Sequence, residues 1–155
     1  VINGLHYPPF GNRGVAKMVR ATGFGQNFQA YYDASKESLL GIIQIETVEA
    51  LNHLDEIAAL EGVDVLFIGP ADLSMELGIF GQFDNPIFID ALQRIIQAAQ
   101  KSGKSTGILF FNPDDYQKYH DMGIRFIACG ADATFVADGA RAMAKKLAAA
   151  RATYT

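Results

Sequence analysis

Two acids stand at corresponding places in this chain. Glu46 closes the apolar run Leu39–Glu46, which ends Gln44-Ile45-Glu46. Asp72 follows the run Val63–Ile68, inside Gly69-Pro70-Ala71-Asp72-Leu73-Ser74. Both runs are apolar and rich in β-branched residues, the pattern of strands buried on both faces. Gly69 and Pro70 end the second run sharply. In α/β proteins ligands bind beyond the carboxyl ends of the strands. Two carboxylates at that edge are a candidate site for a hard divalent cation: Mg²⁺ or Mn²⁺, with Co²⁺ a further option. Side chains two apart on a strand share a side, so Gln44 faces the same way as Glu46. Each acid also has a plainer explanation. Glu46 suits the positive end of the helix that follows it, and Asp72 suits a cap for the turn at Leu73. Spacing alone leaves both explanations open.

Other chemistry is less well supported. The histidines, His6, His53 and His120, are scattered. His53 and His120 fall in expected helices, where a surface role is the simpler reading. His6 precedes a proline-rich loop and is more open. The single cysteine, Cys129, sits in an apolar run and is expected to be a small buried hydrophobe. A Schiff-base mechanism needs a lysine on a barrel strand. Lys17, Lys36, Lys101, Lys104, Lys118, Lys145 and Lys146 all fall in expected helices, loops or approaches to strands. If carbonyl chemistry occurs here, a metal is the better electron sink.

The elements that would position these groups follow a regular alternation. Residues 1–14 are punctuated by glycines and by Pro8-Pro9 and read as a loop. A short helix is expected over 15–23, and another around Phe28–Ala34. Strands are expected at 39–46, 63–68, 106–111 and 125–129. Between them, a helix Val48–Leu60 has Thr47 as its N-cap. A helical turn spans Leu73–Leu77. Asn85-Pro86 opens a helix running to about Ser102, and Asn112-Pro113 opens one ending near Gly123. An Ala-rich helix runs to about Arg151. Four strand–helix units without hairpin signals mean a parallel sheet with all strand ends on one edge. An open doubly wound sheet and half of a (β/α)8 barrel both fit. A whole barrel typically takes roughly 250 residues, and no Gly-x-Gly-x-x-Gly follows any strand.

The chain has 155 residues, half of them hydrophobic (50%) and 19% charged, with a net charge of −4. This is the composition of a single globular domain. No basic run marks a nucleic-acid partner, and no apolar stretch is long enough for a membrane span. One cysteine excludes a disulfide framework. Together with the lack of a secretory signal at Val1, it points to the cytoplasm. The first residue is Val1 and not Met, which leaves processing or truncation open.

Three motifs, in order and at matching spacing, carry a resemblance: Pro8-Pro9-Phe10-Gly11-Asn12-Arg13-Gly14, Gln44-Ile45-Glu46-Thr47 and Gly69-Pro70-Ala71-Asp72-Leu73-Ser74. The chain resembles the HpcH/HpaI aldolase family from about His6 to the last helix. The resemblance implies an α/β fold, the second half (strands five to eight) of a TIM (β/α)8 barrel lacking its first four βα units. It implies metal-dependent cleavage of 4-hydroxy-2-oxo acids to pyruvate and an aldehyde. Glu46 and Asp72 become the metal ligands. Gln44 hydrogen-bonds the pyruvyl oxygens, the backbone around Gly69, Pro70 and Ala71 holds the pyruvate carboxylate, and Phe67 lines the pocket. The family's basic histidine and its enolate-stabilising arginine lie in the absent half, and neither His6 nor Arg13 matches them. The family also implies a hexamer built from dimers that exchange their last helix. Two alternatives remain: a related decarboxylase or CoA-ester lyase using the same enolate chemistry, and a non-catalytic half-barrel that binds small carboxylates.

Overall fold

The computed structural model describes residues 1–152. After a single turn of helix, α1 (Ile2–Leu5), and a 3₁₀ turn at Arg20–Thr22, helix α2 spans Phe28–Ser38. Then come β1 (Ile42–Ile45), α3 (Val48–Asn52), α4 (Leu54–Ala59), β2 (Val65–Ile68) and α5 (Pro70–Glu76). They are followed by α6 (Pro86–Lys101), β3 (Ser105–Phe110), α7 (Tyr116–Asp121), β4 (Phe126–Cys129) and α8 (Asp132–Ala152). The four strands are all parallel and lie side by side in chain order. This is the expected α/β sheet, with each strand trimmed at one or both ends.

Alternation along the strands sorts side chains onto two faces. Ile45, Leu66, Ile68, Ile108 and Phe110 are buried together with Phe88, Leu92, Ile95, Ile96 and Ala99 of α6. The apolar residues of α6 recur at helical spacing, so one stripe of it packs on the sheet. Asn85 caps its start, its side-chain oxygen accepting from Ile87 N at 3.0 Å, with Pro86 at the first helical position. Gly103, at φ +67°, follows its end. Asp64 ties the start of the sheet, one carboxylate oxygen accepting from Gly41 N at 2.7 Å.

On the other face, register aligns Gln44, Phe67, Gly107 and Phe126 in one row across the sheet. The Phe67 and Phe126 rings meet edge to face, with centroids 6.0 Å apart, over Gly107, where a Cβ would lie 2.7 Å from the Phe67 ring. This face is the less covered one: Gln44 and Phe126 are exposed and Phe67 is half-buried. Helix α8 buries no residue, and Phe135, Val136, Met143 and Leu147 along it are exposed.

Several expectations need correction. The helix expected over Val48–Leu60 is two helices broken at His53. At the break the Arg94 guanidinium donates to the Leu51 carbonyl at 3.0 Å, occupying an oxygen that an unbroken helix would use internally. The helix expected over 15–23 is only the 3₁₀ turn, closed by Gly23 in the left-handed region. Residues 2–5, expected as loop, form a helical turn. The helix after Asn112-Pro113 begins as a 3₁₀ turn, Pro113–Asp115, before α7. The turn expected at Leu73–Leu77 begins earlier, at Pro70, so Asp72 lies inside the first turn of α5 and not before it. Cys129 is exposed. It ends the edge strand β4, and α8 buries nothing against it.

Candidate functional site

The carboxyl edge of β1 and β2 brings three of the expected residues into contact. Glu46 lies one residue past β1 and is half-buried; Gln44 is exposed on the same side of the strand. The Gln44 side-chain amide donates to Glu46 Oε2 at 2.6 Å. Next to them on β2, Gly69 N donates to the Ile45 carbonyl at 3.1 Å, which carries the parallel ladder one step beyond the strands. Gly69 is buried and caps α5, with Pro70 at its first position. A Cβ at Gly69 would lie 2.7 Å from Glu46 Oε2 and 2.8 Å from Gln44 Nε2.

Ala71 and Asp72 are exposed in the first turn of α5, and Phe67 sits one row lower, paired in register with Gln44. Among the described residues, no three His, Cys, Asp or Glu side chains gather to hold a metal. A cation at Glu46 and Asp72 would complete its shell with water, with substrate, or with groups from outside them. Among the described residues, no strand carries a lysine. The cleft of about 500 Å³ between α3, α4 and α6, lined by His53, Asp55, Arg94 and Lys101, is on the helix layer and touches neither acid.

Sequence reasoning missed the Phe126 ring and the two glycines as packing surfaces. Gly107, alone inside a strand, was the available signal, because strand glycines often mark close approach.

The HpcH/HpaI aldolase/citrate lyase family model matches residues 2–139. The chain belongs to the HpcH/HpaI aldolase family. Two curated relatives agree. A hydroxypyruvate/pyruvate aldolase of Agrobacterium fabrum is 38% identical over 147 residues, 94% of this chain and 55% of that protein. A 4-hydroxy-2-oxo-heptane-1,7-dioate aldolase of Escherichia coli is 35% identical over 148 residues, 96% of this chain and 56% of the other. Among solved structures, an HpcH/HpaI aldolase/citrate lyase family protein from Burkholderia cenocepacia superposes with a TM-score of 0.81 at 31% identity. It covers 94% of this chain and 58% of that one. The chain thus spans about half the length of the family members it matches. Its four βα units are half of the (β/α)8 barrel of HpcH/HpaI proteins. Among the described residues, no helix is long and apolar enough to cross a membrane.

Proposed function

We infer that this chain is the cation-binding half of a carbon–carbon lyase that cleaves 4-hydroxy-2-oxo acids to pyruvate and an aldehyde. The observation that carries the reading is the contact of Gln44, Glu46 and Gly69 at the carboxyl edge of the sheet. The donor set fits a hard divalent cation such as Mg²⁺ or Mn²⁺. Both candidate ligands are carboxylates, neither is spent in an ion pair among the described residues, and Gly69 leaves beside Glu46 a cradle that a Cβ would fill. Glu46 and Asp72 would hold the ion, and the ion supplies an electron sink for the electron pair released when the C3–C4 bond breaks.

The chain's own groups then orient the 2-oxo acid. The Gln44 amide has two N–H groups and spends one on Glu46, leaving the second for a substrate oxygen. The N–H groups of Ala71 and Asp72, in the first turn of α5, lack an intrahelical acceptor and suit the substrate carboxylate. Phe67 offers an apolar wall below them. The base that takes the hydroxyl proton falls to the other half of the barrel. The names of the two aldolase relatives support a 2-oxo acid substrate, and those same relatives carry the other half. The family description also covers citrate lyase, so cleavage of a CoA ester at the same carboxylates is the second reading. Release of pyruvate or of a CoA ester separates the two.

The test uses the longest natural polypeptide that contains this sequence. Glu46→Gln and Asp72→Asn should each weaken calorimetric Mn²⁺ binding and abolish metal-dependent pyruvate release, with the far-ultraviolet circular dichroism unchanged. Unchanged Mn²⁺ affinity in both variants would overturn the assignment.

A further inference from the structure

Gly69 adopts φ −91°, ψ 88°, negative-φ backbone that does not require glycine. The residue before a proline is confined to extended conformations in any case. Space is what excludes a side chain. A Cβ there would lie 2.7 Å from Glu46 Oε2, 2.8 Å from Gln44 Nε2 and 2.9 Å from Glu46 Cβ. All three atoms belong to the two side chains on which the proposed function rests. Other tight glycines of the sheet differ. A Cβ at Gly41 would strike the Gly62 carbonyl, and one at Gly107 would meet the Phe126 carbonyl at 2.8 Å as well as two rings. At those positions backbone is in the way. At Gly69 two of the three obstacles are the ends of flexible side chains, and the third is Glu46 Cβ, held by its own backbone.

We propose that Gly69 is a positioning residue whose missing side chain forms the slot that fixes the Glu46 carboxylate and the Gln44 amide at the edge of the sheet. The inference rests on Glu46 being a cation ligand. A methyl group at 69 drives Glu46 into another rotamer and parts it from Gln44. The Glu46 carboxylate and the Gln44 amide can swing toward the open face, whereas Glu46 Cβ, at 2.9 Å, gives only with a small shift of the chain just past β1. Groups that orient a ligand without touching the metal typically alter affinity about 10–100-fold, and Gly69→Ala should fall in that range.

The experiment measures Mn²⁺ affinity, by paramagnetic resonance of the free ion, and the thermal midpoint. It uses the longest natural polypeptide containing this sequence and compares wild type with Glu46→Gln, Gly69→Ala, and Gly69→Ala combined with Gln44→Ala. Glu46→Gln and Gly69→Ala should both lose Mn²⁺ affinity, with the Gly69→Ala midpoint close to wild type. The double variant should regain part of the affinity, because removing the Gln44 amide opens space into which the Glu46 carboxylate can shift away from the new Cβ. If Glu46→Gln weakens Mn²⁺ binding and Gly69→Ala does not, the slot is wrong and the ligand assignment stands. If Glu46→Gln has no effect, both fall. Should Gly69→Ala fail to fold, a double variant that folds and binds Mn²⁺ supports the slot, and one that also fails to fold overturns it.

Discussion

Gln44 has one amide and two duties. One N–H steadies Glu46, and the other is available to substrate. Gln44→Ala should therefore lower Mn²⁺ affinity less than Glu46→Gln does, and weaken pyruvate at saturating Mn²⁺ by about tenfold or more, the usual cost of a hydrogen bond to a charged group. Pyruvate titration followed by calorimetry checks this, and equal pyruvate affinity would release Gln44 from the role. The places of Gln44, Glu46 and Asp72 at the ends of β1 and β2 were legible in the sequence because strand alternation and strand ends are local patterns. The slot at Gly69 was not. Which side chains fill a missing Cβ depends on the register of β1 against β2, and no stretch of either strand encodes that. Cys129 misled for a related reason. An apolar run reports that a strand exists, whereas burial needs something to cover it.

At the scale of elements, α7 holds Tyr119, whose hydroxyl is shifted well away from its ordinary value. Tyr119 is buried, its ring packed 5.4 Å from that of Phe110. Burial, and then the nearby charges of Asp115 and Asp84, push its hydroxyl up to about 12 from 10.0. An unfolded chain loses this proton near pH 10, whereas the native chain keeps it to about pH 12. The native state therefore binds more protons across that window, and stability falls as pH rises through it. The stabilisation is full below pH 10, and its loss amounts to at most about 2–3 kcal/mol. Urea midpoints at pH 9.5 and 11.5 should drop less for Tyr119→Phe than for wild type. Equal drops would refute the shift. Strands and the long helix α6 were readable from periodicity, with boundaries off by a few residues. The break at His53 was not, because Val48, Leu51, Leu54 and Ile57 keep helical spacing straight across it. The side chain that takes up a carbonyl freed at the break is Arg94, more than forty positions along the chain.

At the scale of the whole molecule, periodicity could not distinguish an open sheet from half a barrel. It reports the face that is buried, and the choice depends on what lies over the other face. Here, among the described residues, Gln44 and Phe126 of the row Gln44, Phe67, Gly107, Phe126 are exposed, Ile42 on the same side is 39% exposed, and β1 and β4 are both edges. Exposed apolar surface and unpaired parallel edges favour association. The 155-residue chain expressed alone should therefore bind a hydrophobic dye and sediment as more than a monomer. Fusion to the part of a relative that this chain does not match should suppress the dye signal. A dye-silent monomer of the short chain would show that these surfaces are satisfied in another way.

The strand order, identical to the chain order, bears on how such a protein is made. Each strand after β1 pairs with the one synthesised just before it, across a connection of one or two α-helices. No strand has to wait for a distant segment, so the sheet can grow in step with translation. Pairing between neighbours keeps loop-closure costs low, and only the first and last strands of a closed barrel meet across the full length of the chain. Where such a sheet closes into a barrel, closure is the pairing with the largest loop to shut, and until then both edge strands of the growing sheet stay open.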